Sequence, residues 1–525
     1  MLTIRSSIQY RVTSAFPTDR LAVLVPLAGA DDLQRLSDRL QTWGLSKAAA
    51  GAARQRLLRQ EFKAKPGDVS LITDLAAGTV FFVFGVSADK DQRFESRGPR
   101  QVSVALGGMR KLVEAVQAEK PGSLVLDLAD GSLWQTTGSL YAARSAGQMA
   151  AHLVQALELA YTPLPKQVKA YKADPVPTTV TLLVADAETA TVTAAVERER
   201  ILAAAGNLVR ILTQLPANIL NLDHYEALLT EIAADDPQLT LQVWNQAALS
   251  EAGAGCLVAV GRTALEPPRV ARLSYTPVQA ATATAAIVGK GVVYDTGGLS
   301  IKPSKYMLGM HDDMSGSAVA AAMAWAAAKL QTPYAVQAFL GLVENAIGPN
   351  AYRPGDILTA MNGKTVEVID TDAEGRLVLA DTLVLAQQEA KPDLLMDFAT
   401  LTGSCLRALG DIASGICGNR EDLYPLAVQA GYDTGDRVWP FPNWPEYADA
   451  IESKVADIRQ CSPDAGPDVQ HSFCFLNEFV SPDVPWLHVD MSSVRNDEGL
   501  GASPAGFTGF GARYGLAVLE RIFAK

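Results

Sequence analysis

The chain has 525 residues, 48% of them hydrophobic and 19% charged, and 57 acidic against 45 basic side chains give a formal net charge of −12. That length and composition describe a folded protein with room for two or more domains and exclude a disordered chain. The acidic balance argues against nucleic acid or an anionic membrane as the default partner, and no stretch of about 18 strongly apolar residues offers a membrane span.

In chain order, residues 2–4 and 21–26 read as strands. Arg5, Arg11 and Arg20 precede most acidic residues, but no basic segment leads into an apolar block and a small-residue cleavage site, so the cytosol is the expected location. Strand-like runs at 21–26, 79–86 and 123–128 mix with helical stretches at 31–40 and 148–159. A segment rich in Pro, Lys and Thr over 163–179 loosens the pattern, and 180–184 reads as a further strand. Residues 189–215 predict one long helix, because Val196, Ile201, Leu202, Leu208, Ile211 and Leu212 form an apolar stripe that Pro216 stops.

From residue 218 onward, strand candidates at 239–243, 256–260, 285–288, 336–343, 394–398 and 486–489 alternate with helical stretches such as the alanine-rich 317–330. Alternation of this kind predicts a mixed, mainly parallel sheet flanked by helices. The expected organisation is α/β throughout: a small N-terminal α/β domain over 1–188, a connecting helix over 189–216, and a larger C-terminal domain over 217–525.

The chemistry concentrates in the C-terminal part. Asp370-Thr371-Asp372-Ala373-Glu374-Gly375-Arg376 puts three carboxylates and a guanidinium into seven residues between apolar segments. Clustered like charges in an apolar setting need a cation or hydrogen bonds to compensate them. A plain helix start with Asp372 as N-cap is the competing account. A second cluster lies upstream, where the segment from Lys290 through Asp295 to Lys302 follows the apolar run 285–288, Thr296-Gly297-Gly298 makes a Gly-rich turn, and Asp312-Asp313 precedes the alanine-rich stretch 317–330. Strand, loop and helix in this order place ionisable groups at strand ends, where open α/β sheets gather ligands, and the paired glycines suggest close backbone approach.

Lys290, Asp295, Asp313, Asp372 and Glu374 are five potential ligands, and four carboxylates facing one space suit two divalent cations. Lysine coordinates only when neutral, and spacing alone favours a salt bridge for Lys290. The five cysteines, Cys256, Cys405, Cys417, Cys461 and Cys474, have no metal spacing and read as reduced thiols, with Cys405 buried rather than nucleophilic. A two-metal phosphoesterase would call on histidines, and His152, His224, His311, His471 and His488 form no motif; His311 reads as a loop residue near the site and 486–490 as a buried strand ending in a charge.

Val288-Gly289-Lys290-Gly291, Asp295-Thr296-Gly297-Gly298-Leu299-Ser300-Ile301-Lys302 and Thr371-Asp372-Ala373-Glu374-Gly375-Arg376-Leu377 resemble the signature segments of the leucyl aminopeptidase family, two-metal exopeptidases. Arg353-Pro354-Gly355-Asp356, Ala399-Thr400-Leu401-Thr402-Gly403 and Thr508-Gly509-Phe510-Gly511 follow in the family's order. The likeness covers roughly residues 200 to 525, the expected catalytic domain.

The resemblance implies that Lys290, Asp295, Asp313 and Glu374 bind the tighter metal, and Asp295, Asp372 and Glu374 the more exchangeable one. Zinc or manganese is implied, with cobalt or magnesium as further candidates at the exchangeable site. A metal-bridging water would attack the first peptide bond, Lys302 would stabilise the oxyanion, and Arg376, with Leu401, would hold a bicarbonate that shuttles the proton. Met310, Thr400 and Gly403 match the pocket for a leucine-like first side chain. Peptides are the implied substrates and a homohexamer the implied assembly; a structural or regulatory, nucleic-acid-binding homologue is the alternative, against which the acidic charge weighs. Two departures stand out: Asp370 replaces a usual asparagine, and Ser315-Gly316-Ser317 replaces Gly-Gly-Ala.

Overall fold

A computed structural model of the chain describes residues 4–17, 22–29, 32–74, 79–87, 101–135, 140–141, 145–166, 168, 175–464 and 466–523. Residues 2, 3, 21 and 31, on which expected elements begin, lie outside the described residues. Among the described residues the chain divides into two compact units, one of residues 4–204 with 498–505, the other of residues 205–497 with 506–523. No helix among the described residues is long and apolar enough to cross a membrane.

The first unit holds a six-stranded sheet of β1 (Gln9–Thr13), β2 (Ala22–Leu27), β3 (Val69–Asp74), β4 (Thr79–Gly85), β5 (Ser123–Asp127) and β6 (Thr179–Leu183), in the order β1-β6-β5-β2-β4-β3. All pairings are parallel except β3 with β4. Every residue of β2 is buried, as a strand covered on both faces requires. Helix Ala146–Tyr161 begins with a capping box, in which the Ser145 hydroxyl accepts from the Gln148 amide while the Gln148 side chain accepts from Ser145.

The second unit is built on an eight-stranded sheet: β7 (Leu239–Trp244), β8 (Arg269–Tyr275), β9 (Thr284–Asp295), β10 (Ala335–Asn345), β13 (Leu394–Ala399), β14 (Ser414–Gly418), β15 (Val438–Pro440) and β17 (Trp486–Asp490), ordered β15-β14-β17-β13-β9-β10-β8-β7. β9, β10, β13 and β17 run parallel at its centre, and β7, β8 and β14 enter antiparallel pairings. β11 (Ile357–Thr359), β12 (Thr365–Glu367) and β16 (Ile458–Arg459) form a separate small sheet. The result is the expected mixed, mainly parallel α/β architecture.

Two helices cover opposite faces of β9. Successive strand residues point to opposite sides: a Cβ at Gly289 would strike Gly316 and Ser317 of helix Ser315–Leu330, whereas Lys290 lies against Gly375 of helix Glu374–Ala390. A side chain at Gly316 would collide with the Phe398 carbonyl, so the missing Cβ atoms let this helix sit directly on the sheet. The two serines beside it are accommodated by hydrogen bonds. Ser315 Oγ donates to the Asp312 carbonyl, and Ser317 Oγ donates to Met314 O at 2.7 Å and lies 2.9 Å from the Tyr225 hydroxyl.

One expected strand is a helix. Residues 256–260 fall in helix Gly255–Gly261, because a short apolar run carries no period that separates strand from helix. The deciding group is distant: Asp381, on helix Glu374–Ala390, accepts the Leu257 N–H at 2.8 Å and so satisfies a first-turn donor that Ala254 cannot cap. Helix Thr189–Gln214 matches the long helix read from the stripe and ends two residues before Pro216.

Candidate metal centre

β9 delivers the site. Its last residues carry Lys290 and Asp295, and the parallel register with β10 sets Gly341 beside Lys290 and Asn345 beside Asp295. Beyond Asp295 the chain turns through Gly297 and Gly298, with φ of 83° and 63°. Their Cβ atoms would fall 2.9 Å from Asp372 Oδ1 and 2.8 Å from Thr371 Oγ1 respectively. The glycines are there because the 369–373 turn packs against them, which joins two motifs some seventy residues apart in sequence. Thr371 fastens the joint: its hydroxyl donates to Gly297 O at 2.7 Å and accepts from Ser300 N at 2.8 Å, and its carbonyl accepts from Asn345 Nδ2 and the Tyr352 hydroxyl.

The carboxylates and lysines form one connected network. Lys290 Nζ lies 2.8 Å from Asp313 Oδ1, 3.0 Å from Glu374 Oε1 and 3.0 Å from Thr400 O, and the Thr400 hydroxyl donates to Asp313 Oδ1 at 2.7 Å. Lys302 Nζ lies 2.8 Å from Asp295 Oδ2 and 2.5 Å from Asp372 Oδ1. One oxygen each of Asp295, Asp372 and Glu374 lies within 4.8 Å of the other two. Lys290, Asp295, Asp313 and Glu374 are buried, while Asp372 is open to solvent.

Four carboxylates therefore meet two ammonium groups, and the imbalance shows in their acidities. Burial pushes the Glu374 carboxyl up, with Asp295 adding to it, and burial likewise raises Asp313 and Asp372. Burial disfavours the charged form of Lys290, but Asp313, Glu374 and Asp295 outweigh it and hold the ammonium more firmly protonated than usual; Asp295 and Glu374 do the same for Lys302. Asp313 Oδ2 and Glu374 Oε2 are buried without any hydrogen-bond partner. Acceptor-only oxygens left bare in a low-dielectric site are what divalent cations compensate, so this donor set fits two hard cations.

The other expected residues lie around this network. Arg376 is buried; its Nη2 donates to Asp468 Oδ1 at 2.9 Å, its Nη1 to Gln460 O at 3.3 Å, and its Nε has no partner. Leu401 N donates to Asp490 Oδ1. Met310 opens the single 3-10 turn that leads into Asp313, and Gly403 opens helix Gly403–Leu409, capped by Thr402. Helix Glu374–Ala390 starts at Glu374, so the helix-start account of the heptad holds in part; its N-cap is Ala373, and Asp372 does not cap it.

Asp370 Oδ1 accepts the Asp372 N–H at 2.9 Å, an Asx turn that an asparagine carbonyl could make equally well. The Cys405 thiol is buried and pushed up to about 12 by burial and by Asp490, which leaves it inert. His311 meets the Phe507 ring edge-on, with ring centroids 6.3 Å apart. His488 and Trp486 both bond Asp397, at 2.7 Å each, inside the sheet.

Four residues have supporting roles that the sequence does not show. Asn345 donates to Asp295 Oδ1 at 2.8 Å. Asp490, at the end of β17, accepts from Leu401 N, Thr402 N and the Thr402 hydroxyl, and so fixes the loop that carries Thr400. Thr371 and Gln460 hold the 369–373 turn. Asn345 and Asp490 act from strands next to the residues they hold, Gln460 from just past β16 and Thr371 from within the turn; Thr371 stands in the signature segment and Asp490 ends the expected buried strand, whereas nothing in the sequence marks Gln460.

Comparison with known proteins gives the family of the chain. The description "Cytosol aminopeptidase family, catalytic domain" matches residues 207–515. A probable cytosol aminopeptidase of Chlorobaculum tepidum is 39% identical over 320 residues, 61% of this chain and 63% of the relative. One of Leifsonia xyli is 40% identical over 331 residues, 61% of this chain and 64% of the relative. The match thus spans just under two thirds of these relatives' length. Among solved structures, the bottromycin maturation enzyme BotP in complex with Mn aligns with a TM-score of 0.78 at 29% identity, over 96% of this chain and all of that one. Apo leucyl aminopeptidase of Trypanosoma cruzi aligns with a TM-score of 0.78 at 28% identity, over 98% and 97%. With its matched region containing every member of the lysine–carboxylate network, the chain belongs to the cytosol aminopeptidase family.

Proposed function

We propose that the chain is a two-metal aminopeptidase that removes the N-terminal residue, preferably leucine-like, from peptides. The observation that carries this reading is the buried Lys290, Asp295, Asp313 and Glu374 set, in which Asp313 Oδ2 and Glu374 Oε2 are left bare, with Asp372 close to Asp295 and Glu374. Lys290, on losing its ammonium proton to solvent as the metal enters, would hold one cation together with Asp295, Asp313 and Glu374, and Asp295, Asp372 and Glu374 would hold the other. When bound, two such cations polarise a carbonyl and make water nucleophilic at neutral pH. Zinc and manganese suit the donor set, with cobalt or magnesium as further occupants of the second position.

The protein's own groups supply the rest. Lys302, paired with Asp295 and Asp372 here, would be freed from those carboxylates once they hold cations, and its ammonium would stabilise charge developing on the scissile carbonyl oxygen. Arg376 and the Leu401 amide would hold a bicarbonate that moves the proton, in competition with Asp468 for the guanidinium and Asp490 for the amide. Met310, Thr400 and Gly403 would line the pocket for the first side chain. A homohexamer and a cytoplasmic location complete the reading, supported by the resemblance and by the relatives' name. The nucleic-acid-binding alternative has only the likeness to the family behind it.

The test is hydrolysis of leucine p-nitroanilide by chelator-stripped protein. Activity is expected to vanish on stripping, to return with zinc, manganese or cobalt, and to be absent on the N-acetylated substrate. Full activity in the stripped chain refutes the reading.

A further inference from the structure

Gln460 lies one residue past β16 and is fully buried. Its side-chain amide makes three bonds to a single turn. Oε1 accepts the N–H groups of Ile369 and Asp370, each at 3.1 Å, and Nε2 donates to Ala373 O at 2.8 Å. We infer that Gln460 is the positioning residue that holds the 369–373 turn closed and so aims Asp372 at the second cation. This rests on the two-cation reading above.

The turn needs an external clamp. Asp370, Asp372 and Glu374 put like charges on alternate residues, and repulsion between them favours opening. Its internal restraints are two, Ala373 N to Asp370 O at 3.2 Å and the Asx bond from Asp372 N. The helix that follows has no side-chain N-cap. Thr371 pins the middle of the turn and Gln460 bridges both ends, leaving Asp372 as the one carboxylate of the network that is exposed and on a turn.

Gln460 is itself rigidly placed. Its N–H donates to Glu367 O at 2.9 Å, β12 and β16 pair just before it, and its carbonyl accepts from Arg376 Nη1. A planar amide offers an acceptor on one side and a donor on the other, which is the pattern of two converging N–H groups and one carbonyl presented by the turn. Arg376 donates to the carbonyl of the same residue as well as to Asp468, so Gln460 touches both the turn that carries Asp372 and the guanidinium.

Gln460→Met keeps the length of the side chain, adds no charge and removes all three bonds. Titration of the chelator-stripped variant with Mn2+ should show at least a tenfold loss of affinity in the phase that Asp372→Asn also removes, with the other phase within threefold of wild type. Turnover at saturating Mn2+ should fall at least tenfold. Asp381→Asn, which unpairs a buried amide far down the same helix, is the control for a merely structural loss: it should lower the melting temperature and leave both Mn2+ phases unchanged. A Gln460→Met titration identical to wild type overturns the inference. If that variant does not fold, amide exchange in the stripped wild-type chain decides: Ile369 and Asp370 N–H groups among the slow exchangers support the clamp, and exchange as fast as in the exposed 347–350 loop refutes it. Wild-type protein that binds no Mn2+ sinks the two-cation reading and leaves the exchange measurement to judge the clamp alone.

Discussion

Gly375→Ala is a one-methyl test of how Lys290 is packed. Gly375 is the second residue of helix Glu374–Ala390, where a helix-propensity argument expects alanine to add about 1 kcal/mol of stability. The geometry expects the opposite. A Cβ there would lie 2.5 Å from Lys290 Cε and 2.7 Å from Nζ, so the end of the side chain must retreat by roughly 1 Å to reach ordinary contact. Nζ then leaves Asp313 and Glu374, now 2.8 and 3.0 Å away. Breaking a buried ion pair costs about 3–5 kcal/mol, so after the propensity gain the metal-free variant should lose about 2–4 kcal/mol. In a unit of this size that is a drop of about 3–6 °C in melting temperature. Differential scanning fluorimetry of the stripped protein reads it, and a Mn2+ titration should show the Lys290-bearing site weakened at least about tenfold, as for loss of a metal's supporting groups. A variant that melts at or above wild type and binds Mn2+ normally refutes the packing assigned to Lys290.

Lys302→Ala should lower turnover by about 10²–10³, as for loss of one oxyanion donor, while metal analysis still finds two cations per chain; near-normal turnover removes the role. Asp370→Asn should keep activity within about tenfold and both metals bound, since the Asx bond to Asp372 N needs only a carbonyl oxygen, and loss of a cation on metal analysis would make Asp370 a ligand. In the metal-free chain burial lifts Asp313 to about 6 and Glu374 to about 8, from ordinary values of 3.8 and 4.5. Folded-state values above the unfolded ones give stability that is complete below pH about 4 and lost as pH climbs through about 6 to 8. Stripped protein should therefore soften over that window, and the rise in melting temperature caused by Mn2+ should grow with pH across it. A Mn2+ effect that is flat from pH about 5.5 to 8 contradicts those shifts.

The legible part of the fold was the part with a period or a punctuation mark. The apolar stripe of residues 196–212 stopped by Pro216 gave the long helix, and the continuous apolar runs of β9, β10 and β13 gave the sheet centre. The run at 256–260 is a helix and not the expected strand, and the group that accepts its Leu257 N–H, Asp381, stands more than a hundred residues away. At the site, charges clustered beside glycines were conspicuous, and the structure brings Lys290, Asp295, Asp313, Asp372, Glu374 and Lys302 into one network. The residues that hold those groups were not conspicuous. Asn345, Gln460 and Asp490 act through hydrogen bonds to groups distant in sequence, three each for Gln460 and Asp490, and nothing about a lone polar residue beside a strand reveals which backbone it will meet.

The most direct test of the account is a calorimetric Mn2+ titration of the stripped wild-type chain beside Asp295→Asn, the change at the carboxylate assigned to both cations. Two equivalents should bind to wild type and neither should bind tightly to the variant. Two tight equivalents in Asp295→Asn would contradict a shared two-cation centre at the end of β9.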